Sequence, residues 1–210
     1  MPRTSITEAE IREALLKAAT EAFLRDGIMA TEMKAVAASA GLSRSTLYRY
    51  AISKNQLAFL VGEQRIRLMV EAAHRRSGTQ LATGWERLEY FCESMITELE
   101  GRTADLRLMA EFDAIYSGPY PDIPEARDYV ATMQRLHSHS VQMVMDGLAD
   151  GSIVNVPDAA LFASVLENVI FGMATRYFPR EAHYIEEHQH GGRQVIREIV
   201  RRLLEGVRAA

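Results

Sequence analysis

The chain has 210 residues, 48% hydrophobic and 25% charged, an ordinary globular composition that excludes wholesale disorder, collagen and a disulfide scaffold. No stretch approaches the ~18 consecutive apolar residues of a membrane span, residues 1–10 lack the apolar centre of a signal peptide, and Cys92 is the one cysteine, so a reducing, cytoplasmic setting is expected. The net charge of −4 is uneven: residues 1–76 carry 12 Lys and Arg against 8 Asp and Glu, whereas residues 77–210 carry 12 against 20. A basic front and an acidic rear fit a small polyanion-binding unit joined to one that binds no polyanion.

Every readable element is helical, about nine in all, so the fold class is all-α. Thr7-Glu8-Ala9-Glu10 predicts a capping box, with Ile6 and Ile11 at the spacing of a hydrophobic staple. Ile11, Leu15, Ala18, Ala19, Ala22 and Phe23 then recur at helical spacing, and Gly27 is the expected stop. Thr31 is a candidate cap for a short helix with Val36, Ala37 and Ala40 on its apolar face. Gly41 breaks it, and Ser43 can cap a second short helix over 44–50 that turns Leu47 inward. Ser53-Lys54-Asn55-Gln56 is a second capping-box pattern, opening a long helix to about Arg76. Longer helices are predicted over 80–100, 103–116, 124–146, 157–177 and 193–208, with Pro179 to Gly192 read as a loop. The brief alternation from Gly151 to Val156 is too short for a strand.

Residues 31–50 have the pattern of a helix-turn-helix. Ala37 is small where the helices cross, and Gly41, four positions on, tolerates the positive φ of the turn. Val36, Leu42 and Leu47 bury the second helix against the first, which leaves Arg44, Ser45, Tyr48 and Arg49 outward. An arginine can bond a guanine edge bidentately; Thr46, Tyr50 and Lys54 suit phosphate oxygens. A structural helical turn with solvated arginines has the same spacing, so the pattern alone leaves both open.

The runs Gly27-Ile28-Met29-Ala30-Thr31, Val36-Ala37, Ala40-Gly41-Leu42-Ser43, Ser45-Thr46-Leu47-Tyr48-Arg49-Tyr50 and Ser53-Lys54 resemble the DNA-binding domain of TetR-family transcriptional regulators over about residues 7–65. Beyond that stretch the chain matches the family only in length and helical texture. The resemblance implies a DNA-binding domain over 1–52 and a helical ligand-binding and dimerisation domain over 53–210. It implies a homodimer on a near-palindromic double-stranded operator, acting as a repressor that a small molecule releases. It places Thr31, Thr46, Tyr50 and Lys54 near the DNA backbone and Arg44, Ser45 and Arg49 toward the bases; Ser43 and Tyr48 complete the expected DNA-binding set. One departure is Ala51-Ile52, where the family usually has an aromatic and often a proline.

In the rear, Phe162, Val165, Val169, Ile170 and Met173, with Ile199 and Leu203, form stripes wider than one core face needs; they suit either a subunit seam or a fully buried core. Trp85, Phe91, Met95, Met109, Phe112, Tyr116 and Met133, with His137 among them, suit either a core or a plastic apolar pocket. Few basic residues accompany them, so an uncharged or cationic hydrophobic effector is expected. No nucleophile elbow, P-loop, Rossmann glycine pattern or HExxH occurs, so no catalytic residue, cofactor or metal site is expected. His183, His188 and His190, near Glu186 and Glu187, keep a metal-responsive regulator open as an alternative. A helical enzyme is the more distant one. Cys92 is expected to be a buried small hydrophobe.

Overall fold

The computed structural model describes residues 7–43, 46, 49, 52–76 and 81–209. Helix α1 (Glu8–Asp26) starts at the expected capping box: Thr7 Oγ1 accepts from the Glu10 N–H at 3.2 Å, and Glu10 Oε2 accepts from the Thr7 N–H at 2.7 Å. Its buried face is the periodic set read from the sequence, Ile11, Leu15, Ala18, Ala19, Ala22 and Phe23. Ile6, the other half of the expected staple, lies outside the described residues.

Helix α2 (Met33–Ser39) buries Val36 and Ala37. It is not capped by Thr31. Its N-cap is Glu32, which makes no side-chain capping bond. The turn after it closes through Leu42 N–H to Ala37 O at 2.9 Å, with Gly41 at φ +70°, a conformation that favours glycine. The second capping box also forms: Ser53 Oγ accepts from the Gln56 N–H, and Gln56 Oε1 accepts from the Ser53 N–H, at the start of α3 (Lys54–Arg76). Ile52, in place of the family's usual proline, is buried; Ala51 lies outside the described residues.

The remaining helices are α4 (Gly84–Glu100), α5 (Thr103–Ile115), α6 (Pro124–Ala149), α7 (Ala159–Tyr177), α8 (Glu181–His188) and α9 (Gly192–Glu205). Helix α8 and the 3-10 turn Phe178–Arg180 before it occupy a segment expected to be loop. Pro179 sits in that first turn, where its missing N–H leaves no helical bond unmade. Among the described residues the one extended pairing is an antiparallel bridge between Ile153 and Arg208.

The chain divides into two compact units: residues 1–65 with 107–130, and residues 66–106 with 131–210. The first therefore contains the end of α5 and the start of α6 as well as the N-terminal helices. Its core includes Phe59, whose ring centroid lies 5.0 Å from Phe112, 4.6 Å from Tyr116 and 5.7 Å from Tyr129. Burial pushes the Tyr129 phenol well above its ordinary range. In the second unit, α7 and α9 pack on each other and on α4. Trp85 is buried there, its indole N–H donating to Leu204 O at 3.3 Å and the Arg208 guanidinium 4.2 Å over its ring.

Candidate functional site

The N-terminal unit places the described part of the second short helix as follows. Ser43 caps it, its Oγ accepting from the Thr46 N–H at 3.1 Å, and Thr46 and Arg49 are helical, with Arg49 exposed. Arg44, Ser45, Leu47, Tyr48 and Tyr50 lie outside the described residues. Thr31 does not face outward as expected: it is buried, and its hydroxyl donates to Gly27 O at 2.7 Å. Lys54 is also committed within the unit, its Nζ donating to the carbonyls of Ile28 and Met29 at 3.0 and 3.1 Å. An ammonium has three donors, so one remains for a phosphate.

The same two peptide units are held from the other side. Glu111 on α5 accepts from the Ile28 N–H at 2.8 Å and the Met29 N–H at 2.9 Å. This carboxylate works as a fastener for the turn that precedes α2. Replacing it with alanine leaves two amides without their acceptor. Glu111→Ala is expected to lower stability by about 1–3 kcal/mol, measured as a shift in the urea midpoint at unchanged m-value.

The second unit contains a cavity of about 410 Å³, a size ordinary for small-molecule sites. Helices α3, α4, α6 and α7 line it. Ile66, Val70, Leu88, Phe91, Met95 and Phe171 are among its apolar walls. Of the eight residues expected at a ligand, Phe91, Met95, Met133 and His137 line it. Trp85 does not; it is held at the Leu204 and Arg208 end of the same unit. Met109, Phe112 and Tyr116 are packed in the N-terminal unit instead. Sequence reasoning missed Glu167, whose Oε2 pairs with His137 Nδ1 at 2.9 Å. Cys92, buried as expected, is also in the wall; burial and then the Glu167 carboxylate push its thiol up to about 12.

Residues 15–61 match the model of the tetR family of bacterial regulatory proteins. That N-terminal stretch is similar to the DNA-binding domain of the TetR family. Solved structures of transcriptional regulators are similar in fold to this chain over nearly its whole length. A TetR-family regulatory protein from Rhodococcus RHA1 is 17% identical with a TM-score of 0.68, covering 97% of this chain and 99% of its own. FadR from Bacillus subtilis, solved with stearoyl-CoA, is 15% identical with a TM-score of 0.67, covering 93% and 99%. The ketosteroid regulator KstR2 of Mycobacterium tuberculosis is 17% identical with a TM-score of 0.62, covering 99% and 100%. No curated protein matches the chain in sequence. The family match falls on the segment that holds the helix-turn-helix pattern, and the solved regulators share the fold of nearly the whole chain.

The residues expected at a subunit seam divide by burial. Helix α7 buries Ala163, Leu166, Ile170 and Ala174. It leaves Leu161 61% and Val165 38% exposed, with Phe162, Val169 and Met173 partly so. Ile170 is therefore a core and cavity-wall residue and not part of the outward stripe. On α9, Ile199 and Leu203 are partly exposed. Within the helical stretch Ala159–His188 one 18-residue window has a mean hydropathy of 1.2, enough by length and composition alone to pass for a membrane span, as core helices also do. Arg176, Arg180, Glu181, Glu186 and Glu187 charge the second half of the stretch.

His183 and His188 fall on α8, with His183 Nδ1 3.8 Å from Glu186 and His188 Nε2 3.7 Å from Glu187. Among the described residues no three His, Cys, Asp or Glu side chains converge as a metal site would need.

Proposed function

We propose that the protein is a homodimeric repressor that leaves a near-palindromic operator when a hydrophobic small molecule fills the cavity of its second unit. Residues 1–52 serve as the DNA-reading module and the rest of the chain as the effector and dimerisation part. The observation that supports effector control is the cavity of about 410 Å³, walled mainly by apolar side chains with a few polar ones such as Gln134, His137 and Glu167 among them, the usual make-up of a ligand site. Helix α3 is continuous from Lys54, which fastens the turn before α2, to Arg76, and Ile66 and Val70 on it line the cavity. An effector that favours one setting of this helix would alter the spacing of two recognition helices. A hundredfold loss of operator affinity needs about 2.7 kcal/mol of differential binding. FadR, solved with stearoyl-CoA, and KstR2, a ketosteroid regulator, are neighbours in fold whose names point to apolar molecules.

The outward stripes of α7 and α9 fit the subunit seam, because exposed apolar area of this kind on a helix calls for a partner. A dimer also meets an energetic need: one helix-turn-helix offers too few base contacts for regulatory affinity against a genome of competing sites.

The test is reciprocal. The operator is selected from random duplexes, and effector affinity is measured with and without it. The two must oppose each other by the same factor; equal effector affinity in both conditions would make the cavity a mere packing defect. In the same assay Arg49→Ala is expected to weaken operator binding by about 1–3 kcal/mol and relax sequence preference, as loss of a base contact does. Wild-type affinity for both selected and random duplexes would remove Arg49 from the reading surface.

A further inference from the structure

The effector cavity has one charged pair, and that pair is poor in donors. His137 Nδ1 is engaged with Glu167 Oε2 at 2.9 Å. In the neutral imidazole that spends the ring's donor and leaves Nε2 as an acceptor. The second carboxylate oxygen of Glu167 is an acceptor as well. Asn168, also in the wall, gives one of its two amide N–H groups to Ser164 O at 2.8 Å, which leaves its carbonyl oxygen and one N–H, both uncharged, for other partners. Among the described residues no lysine or arginine lines this cavity. Arg67, Arg75 and Arg135 line a separate cleft with His74 and His139, where Glu71 lies 3.4 Å from Arg67 and 3.9 Å from Arg75. Gln134, Ser140 and Ser164 add neutral polar groups to the wall, but among the described residues its one carboxylate, Glu167, has no lysine or arginine beside it to receive an anion.

We propose that the cavity selects apolar molecules whose polar end donates hydrogen bonds, as a protonated amine or a hydroxyl does, and rejects carboxylates, with Glu167 as the selecting residue. This rests on the cavity being the effector site. A hydroxyl or ammonium satisfies the Glu167 oxygen and His137 Nε2 that burial of a ligand would otherwise strip of water. A carboxylate there meets the like charge of Glu167, with no lysine or arginine among the described wall residues to offset the repulsion. The selection sets this chain apart from a receptor for free fatty acids, whose carboxylate needs a donor or a cation.

Three probes with one tail test it: decylamine, decanol and decanoate at neutral pH, titrated calorimetrically into the full-length protein. Decylamine and decanol are expected to bind, and decanoate at least tenfold more weakly than either. Glu167→Gln, which keeps the shape and removes the charge, is expected to narrow the gap between decanoate and decylamine at least tenfold. Decanoate binding as tightly as decylamine, no binding by any probe, or an unchanged ranking in a folded Glu167→Gln protein would each overturn the proposal. Should Glu167→Gln fail to fold by circular dichroism, the wild-type ranking decides alone. Sequence-specific DNA binding by the unliganded wild type is scored separately; its failure sinks the regulator reading, whereas the probe ranking judges the selection.

Discussion

Val165→Arg is expected to yield a folded monomer of 23.6 kDa that has lost sequence-specific DNA binding. Within the protomer the side chain is 38% exposed, so a long cationic chain there can reach water without disturbing the core. In the proposed dimer the same charge is buried on an apolar seam without a partner, and in symmetric pairing it occurs twice. An uncompensated buried charge costs about 3–5 kcal/mol, enough to dissociate an assembly at micromolar concentration. Operator affinity then falls toward the nonspecific level, about a thousandfold or more. Sedimentation and DNA titration read the two effects separately. A variant that stays dimeric places the seam elsewhere. A wild-type monomer with tight operator binding removes the dimer altogether.

The other large effect concerns stability. Helix α4 begins against the last turns of α6, where Gly84 N–H donates to Asp150 Oδ2 at 2.6 Å and Trp85 N–H to Ser152 Oγ at 3.0 Å. A Cβ on Gly84 would lie 2.2 Å from Gly147 N and 2.4 Å from Gly147 Cα. These are backbone atoms of a packed helix, so no side chain can swing aside. Gly84→Ala is expected to cost about 3 kcal/mol, the upper part of the usual overpacking range. For a chain of this length that lowers Tm by roughly 6–12 °C. Gly118→Ala, with nothing within 4 Å, is the matched control and should leave Tm unchanged. Equal melting of the two proteins would show that the helix contact is looser than described.

What the sequence revealed was chiefly local. The Thr7 and Ser53 capping boxes and the buried face of α1 depend on residues three or four apart, and all appear in the structure. The turn at Gly41 is local too. Helix α8 was hidden because its polar composition, between Pro179 and Gly191, resembles a solvated loop; the proline is accommodated in the preceding 3-10 turn. The cavity was half legible. Phe91 and Met133 are apolar and do line it, but Met109 and Phe112 are equally apolar and pack elsewhere. Composition names the residues that will be buried and not the neighbours they will meet. Glu167 lay within a stripe of Val165, Leu166, Val169 and Ile170, where a periodic apolar pattern draws attention away from the one carboxylate.

The N-terminal unit is finished by a piece of chain that arrives some forty residues after it ends, since residues 107–130 belong with residues 1–65. Chimaera building must respect that. A graft that transfers only the leading stretch to another regulator leaves behind Glu111, which fastens Ile28 and Met29, and Phe112, which packs on Phe59. The recipient would have to supply an acceptor and an aromatic ring at the same places. Exchange of operator preference between relatives therefore calls for two cassettes moved together, or for substitutions confined to the recognition helix.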